Sequence, residues 1–281
     1  MPFVEISLEE IHKKLTGIYN DMKNDIKELK IKMLKMSYKS QEGHLGSSFS
    51  IIDILYVLYN GVLNIDKDNV KDENRDRFIL SKAHASLALS VILESKGFIT
   101  QKDLDEFCTF NGKLGGHLSK KVKGVEFSGG SLAHGLPYSV GIAKALKIKG
   151  DNDSRVYCLI GDCELQEGSN WEAMLLASHY KLDNLVLIID NNKSHNKSPH
   201  VDNIKSKIES FGFDVDSIDG HNLIEIKGSL KDKSDKPRCV ICNTIKGKGI
   251  KRMENNPEWH HKSIKSEEEL NQLILELEGG K

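Results

Sequence analysis

VYCLIGDCELQEGSNWEAMLLASHYKLDNLVLIIDNN, residues 156–192, sets the architecture of the chain in one passage. Val156 to Ile160 is an apolar run that stops at Gly161-Asp162, the pattern of a buried parallel strand with a carboxylate at its carboxyl end. Trp171, Met174, Leu175 and Ser178 then recur at helical spacing, and a second apolar run, Leu185 to Ile189, closes in Asp190-Asn191-Asn192. Strand, helix and strand in this order form a right-handed crossover with polar residues at both strand tips. Asp162 and Asn192 are thereby expected to meet outside one sheet edge, where open α/β sheets bind ligands. A carboxylate and an amide carbonyl are hard oxygen donors, suited to a Mg²⁺ that also holds a phosphate.

Outward from this unit the same alternation continues. Helical periodicity runs from a capping box at Ser7-Leu-Glu-Glu10 to about Ser40, and Ser50-Ile-Ile-Asp53 is expected to cap a helix over Ile51 to Leu58. Asp76 to Ser81 reads as a strand, followed by an amphipathic helix to about Ser95. Thr100-Gln-Lys-Asp103 caps a short helix, and Asn111 to His134 is a long glycine-rich loop. A structureless stretch of that length inside a domain points to function. Its last part, Ser128 to Gly135, is expected to bring backbone close to a ligand and offer the N–H groups of the next helix to an anion. A helix at Ile204 to Phe211, strands near Asp214 to Ile218 and at Arg238 to Ile245, and a helix capped by Ser266 complete the order. The expected fold is α/β, a mostly parallel sheet with helices on both faces, in a single domain over 1–281 with its core at about 8–250 and a C-terminal tail at 251–281.

Composition narrows the class of protein. Forty basic against 41 acidic residues leave no basic excess for nucleic acid. The N-terminus has no apolar signal core, and no run approaches the ~18 apolar residues of a membrane span, so a cytoplasmic protein without membrane or nucleic-acid partners is expected. Five cysteines scattered through apolar runs fit reduced core thiols. Cys239 and Cys242 match C-x-x-C, but on a strand they point to opposite faces. Neither G-x-G-x-x-G after a strand nor a P-loop is present.

Four histidines, His44, His84, His117 and His260, fall in loops, in GHLGSS, LSKAHAS, GGHLS and NPEWHHK. Taken singly, a loop histidine is more often a structural group. Together with the Gly161-Asp162 opening, the Asn191-Asn192 close and LQEG, they resemble the transketolase family, over about Ile11 to Lys262. The nearest likeness is the amino-terminal subunit of a split, two-chain transketolase.

That resemblance implies the thiamine diphosphate-binding fold. It implies that Asp162, the Asn192 side chain and the Ser194 carbonyl bind Mg²⁺ (or Ca²⁺ or Mn²⁺), and that His84, Gly130, Leu132, Gly161, Asp162, Cys163, Glu164, Asn192 and His260 hold thiamine diphosphate. His44, His84, His117, His260 and Glu167 are implied as catalytic, the histidines facing sugar hydroxyls and the diphosphate, while Glu167 and Glu172 link the two sites of a dimer. His221 is left as structural. Cys163 and Ala133 stand where the family usually has Gly, His134 where it has Gln, and Lys193 to His200 lacks a Gly-containing turn. Cys163 is expected to crowd the diphosphate if its backbone needs positive φ.

The chain ends before the family's pyrimidine-binding half, which implies a C-terminal partner subunit, an α₂β₂ heterotetramer and transfer of a two-carbon ketol group from a ketose or ketose phosphate to an aldose. Two other readings remain: acyl or ketol transfer in a specialised sugar or natural-product pathway, and a non-catalytic scaffold that has lost the cofactor.

Overall fold

Five strands, β1 (Arg77–Leu80), β2 (Val156–Gly161), β3 (Leu185–Asn191), β4 (Asp214–Asp219) and β5 (Arg238–Asn243), form one sheet in the order β1-β2-β3-β5-β4. The computed structural model describes residues 8–193 and 201–279, and every strand pair in it is parallel. Period two divides each strand between two cores. Tyr157 and Leu159 join one, while Val156, Cys158 and Ile160 join the other. Both faces being covered, β2 has no polar side and reads in sequence as an unbroken apolar run.

The first face is covered by α1 (Leu8–Ser40), α2 (Leu45–Gly61), α3 (Ser86–Ser95), α8 (Leu223–Lys231) and α9 (Glu267–Leu277). On the second lie α5 (Gly135–Lys149), α6 (Gly168–His179) and α7 (Ile204–Ser210). The short α4 (Gln101–Asp105) carries the expected capping box, with Thr100 Oγ1 accepting from Asp103 N. Ser266 caps α9 by accepting from Glu269 N. Cys239 lies in one core and Cys242 in the other, and all five cysteines are free thiols.

Four expectations need correction. The α2 helix starts at Leu45, with His44 as its N-cap residue, so Ser50 and Asp53 are inside it and cap nothing. These polar groups are buried in mid-helix because each has a partner from elsewhere in the fold: Ser50 Oγ donates to Asp190, and Asp53 bonds His221. The α3 helix is not amphipathic, since Ser86 to Leu93 are buried on all sides. On α6, Leu175 is 60% exposed while Asn170, Ala173 and Met174 point inward, which moves the core face by about one residue from that marked by Leu175. Finally, α8 was not anticipated, although Leu223, Ile226 and Leu230 are spaced for a helix and Asn222 Oδ1 accepts from Ile224 N and Glu225 N as its cap. Ser7 and its part of the first capping box lie outside the described residues.

Candidate active site

The carboxyl ends of β1, β2, β3 and β5 converge on one cleft, and each contributes charge. Asp190, at the end of β3, has no exposure. Its Oδ2 accepts from Lys82 Nζ at 2.5 Å, Ser50 Oγ at 2.7 Å and Asn192 Nδ2 at 2.7 Å, and its Oδ1 accepts from Thr244 Oγ1. A buried ion pair is kept in place when further hydrogen bonds satisfy its remaining lone pairs, and three further donors, Ser50, Asn192 and Thr244, do so here. The consequence reaches Asn192. Its amide nitrogen is committed to Asp190, so the carbonyl oxygen is the donor atom it offers a cation.

Asp162 follows β2 and is 5% exposed, with Oδ1 accepting from Cys163 N at 2.8 Å. Behind it Glu164 is buried, accepting from Ser81 Oγ at 2.6 Å, Ala133 N at 2.7 Å and Gly161 N at 2.7 Å. Burial pushes its carboxyl above the usual carboxylate range, against those three donors. Ser81 Oγ in turn accepts from Gly135 N. Glu164 therefore ties the β1 end, the β2 end and the glycine-rich loop together.

Every expected site residue within the described chain except Glu167 lines one cavity of about 290 Å³. That set includes His44, His84, His117 and His260 together with Gly130, Leu132, Gly161, Asp162, Cys163, Glu164 and Asn192. The ring of His44 lies 5.1 Å from His84 and 5.8 Å from His260, centre to centre. Burial and then the charge of neighbouring His261 pull His44 down to about 4, and burial and then the Lys82 ammonium pull His84 down to about 2. His260 is lowered by burial and by Lys246, whose Nζ sits 2.9 Å from His260 Nδ1. An ammonium can only donate, so the His260 proton sits on Nε2. These three imidazoles are thus neutral at physiological pH, each able to donate and accept.

Glu167 and Glu172 are exposed, the first as the N-cap residue of α6, and neither reaches the cleft. Ser194 lies outside the described residues, as does most of the Lys193–His200 loop. At its start Lys193 adopts φ 57°, a left-handed conformation without glycine. His221 is structural as expected: Ile245 N donates to its Nε2, which leaves Nδ1 to donate to Asp53 Oδ2 at 2.9 Å.

The loop entering α5 behaves differently from its sequence reading. Ala133 N and Gly135 N are spent on Glu164 and Ser81, so those N–H groups are not held out to an anion. Gly135 is needed for close packing, since a Cβ there would lie 2.5 Å from that of Ser81. The position that demands a left-handed backbone is Ala133, at φ 66°, and not Cys163, which has negative φ. Burial, then Asp162, push the Cys163 thiol up to about 11, so it adds no negative charge beside the cleft.

Sequence reasoning missed Lys82, Lys246, Asp190, Ser47 and His261. Lys82 and Lys246 line the cavity just beyond the ends of β1 and β5, and a lysine directly after an apolar strand was the available signal. Two ammonium groups and a set of neutral imidazoles suit a phosphate-rich anion; Asp162 with the Asn192 carbonyl suits a hard cation.

Residues 20–276 match the family described as the thiamine diphosphate-binding domain of transketolase. The chain is 35% identical to a subunit of the apulose-4-phosphate transketolase of Phocaeicola vulgatus, over 88% of this chain and 90% of that one. Against the subunit of the same name from Actinobacillus succinogenes it is 38% identical, covering 89% and 94%. The crystal structure of transketolase from Campylobacter jejuni superposes with a TM-score of 0.81 at 33% identity, over 92% of this chain. This chain spans 42% of that longer one.

Proposed function

Because the chain belongs to the transketolase family through that family's thiamine diphosphate-binding domain, we propose that it is the diphosphate-binding half of a two-chain, Mg²⁺-dependent transketolase. The observation that carries the reading is the pairing of Asp162 with an Asn192 amide turned carbonyl-outward by Asp190, beside two lysines in one cleft. The donor set fits a divalent cation, with two hard oxygen donors on adjacent strand tips; in this reading Ser194, outside the described residues, would be the third protein ligand. Lys246, His84 and His260 would hold the diphosphate. Bound there, thiamine diphosphate supplies the electron sink for breaking and re-forming a carbon–carbon bond.

The rest is work for the chain's own side chains. His44 and His117, facing the open side of the cleft, hydrogen-bond sugar hydroxyls and pass protons to and from them, a contribution of ~10²- to 10⁴-fold in rate. Asp190, Lys82 and Glu164, each hydrogen-bonded to the protein's own groups, keep the ligating groups in place. The reaction is transfer of a two-carbon ketol group from a ketose to an aldose.

A partner chain completes the site in this reading, as an α₂β₂ assembly. It is supported by the relatives named as subunits of an apulose-4-phosphate transketolase. Exposed apolar residues at the C-terminal end of α6, Leu175 60%, Leu176 46% and Tyr180 43%, follow Glu172 at helical spacing and suit an intersubunit contact. The test is calorimetric titration of the chain with its partner by Mg²⁺ and thiamine diphosphate, for wild type and Asp162→Ala. Wild type should bind and turn over ketose; the variant should lose at least about 100-fold in cofactor affinity, a ligand being worth more than the 10- to 100-fold of an outer-shell group. Equal retention of cofactor by both chains would sink the proposal.

A further inference from the structure

The cleft opens through a second chamber of about 370 Å³ that shares His44, His84 and His117 with it and adds Glu42, His261 and Cys108. Among the described residues no lysine or arginine lines this outer chamber, in contrast to the inner one with Lys82 and Lys246. Its acidic wall is Glu42, and Glu42 is held by an unusual turn. Gln41 and Gly43 on either side adopt left-handed conformations, φ 56° and 131°. Gln41 Nε2 donates both to Tyr38 O at the end of α1 and to Ile264 O in the segment that carries the two terminal histidines. Glu42 N donates to Ser40 Oγ, and a Cβ on Gly43 would lie 2.7 Å from Leu87. At Gln41, the non-glycine of the two, a left-handed backbone stores about 1–3 kcal/mol of strain that persists where the surroundings over-determine it.

The braced turn sets Glu42 Oε2 3.5 Å from His261 Nε2. The His261 ring also lies against His44, with centres 4.5 Å apart, nearer than His84 or His260. Both side chains are about half exposed, so they are open to an incoming molecule while their backbones are fixed.

We propose that Glu42 and His261 are specificity-determining residues that read the hydroxyl groups of the sugar beyond its reacting carbon. A carboxylate accepts from one hydroxyl while the imidazole beside it donates to or accepts from the next, a pattern matched by vicinal hydroxyls and by no hydrocarbon chain. With no lysine or arginine among the described residues of its wall, the chamber favours hydroxyls over a phosphate. This assignment rests on the transketolase reading above and adds the substrate groups that the outer chamber selects.

The experiment uses the two-chain assembly with Mg²⁺ and thiamine diphosphate, with D-glyceraldehyde and propionaldehyde as paired acceptors that differ only in their hydroxyls. Glu42→Ala and His261→Ala, both at about half-exposed positions, are each expected to lower kcat/KM for D-glyceraldehyde about tenfold, the scale of one hydrogen bond. For propionaldehyde the same variants should lose much less, any loss passed on through His44 being common to both acceptors, and the double variant should lose less than the product of the two single losses. Equal losses on both acceptors, or no loss on D-glyceraldehyde, would overturn the assignment. Calorimetric affinity for thiamine diphosphate in the variants reports separately on the cofactor reading, which stands or falls by Asp162.

Discussion

The floor of the cleft and its mouth are built on opposite terms. At the floor Asp190 is fully buried and receives four donors, Glu164 receives three, and Lys82 is 1% exposed. At the mouth, Glu42 Oε2 and His261 Nε2 lie 3.5 Å apart with about half of each side chain in water. A charge removed from water must be satisfied by the protein before any ligand arrives, whereas an exposed one is satisfied by solvent and adjusts at little cost. The floor is therefore a fixed framework on which ligating atoms are oriented, and the mouth is where a sequence can change what it admits without unfolding.

The comparison breaks first at Asp190. Asp190→Ala strips the carboxylate partner from a buried ammonium and removes the acceptor on which Ser50, Thr244 and the Asn192 amide converge. It is expected to cost about 3–5 kcal/mol, seen as a drop in denaturant midpoint with an unchanged slope. A loss below about 1 kcal/mol would mean that the floor is no more rigid than the mouth.

A pH profile tests the region between floor and mouth. His44 takes a proton only near pH 4 in the folded chain, against an ordinary value of 6.5, so between those values the unfolded chain binds more protons. Stability should rise with pH across about 4 to 6.5, and His84, held lower still, should extend the rise to more acid solution. Replacing His44 by Asn should flatten the slope near pH 5 in unfolding experiments run at several pH values. An unaltered slope would show that the imidazole is not held neutral by its burial and its neighbours.

A smaller effect is expected at Ala133, where two terms nearly cancel. Glycine would relieve a left-handed strain of about 1–2 kcal/mol. It would also forfeit a buried methyl, about 0.8 kcal/mol, and add about 0.5–1 kcal/mol of chain entropy. Thermal unfolding of Ala133→Gly should therefore move by less than about 1 kcal/mol in equivalent stability, whereas a branched Val at the same φ should be clearly destabilising. Least of all should move at the mouth: Glu42→Gln is expected to alter stability by no more than about 0.5 kcal/mol, measured in the same denaturant titration, since only an exposed pair is lost.

How much of this was legible beforehand differs by residue. Asp162 and Asn192 could be read directly, because an apolar run ending in a polar residue marks a strand tip whatever surrounds it. The four cleft histidines were found through loop context and family likeness. Lys82 and Asp190 were not, since a lysine beside a strand end and an aspartate beside Asn-Asn carry no mark of being each other's partners across 108 residues. The α8 helix escaped because it is nine residues long and contains Gly228.

Local pattern determined what is local: the order of strands and helices, the two-sided sheet and the polar tips, all fixed by periodicities of two and 3.6 residues. Only the tertiary structure decided which N–H groups of the loop before α5 were already taken, that the left-handed backbone falls at Ala133 and not at Cys163, and that Asp190 turns the Asn192 amide. Those outcomes depend on which polar groups meet when the chain closes, and burial makes each meeting obligatory.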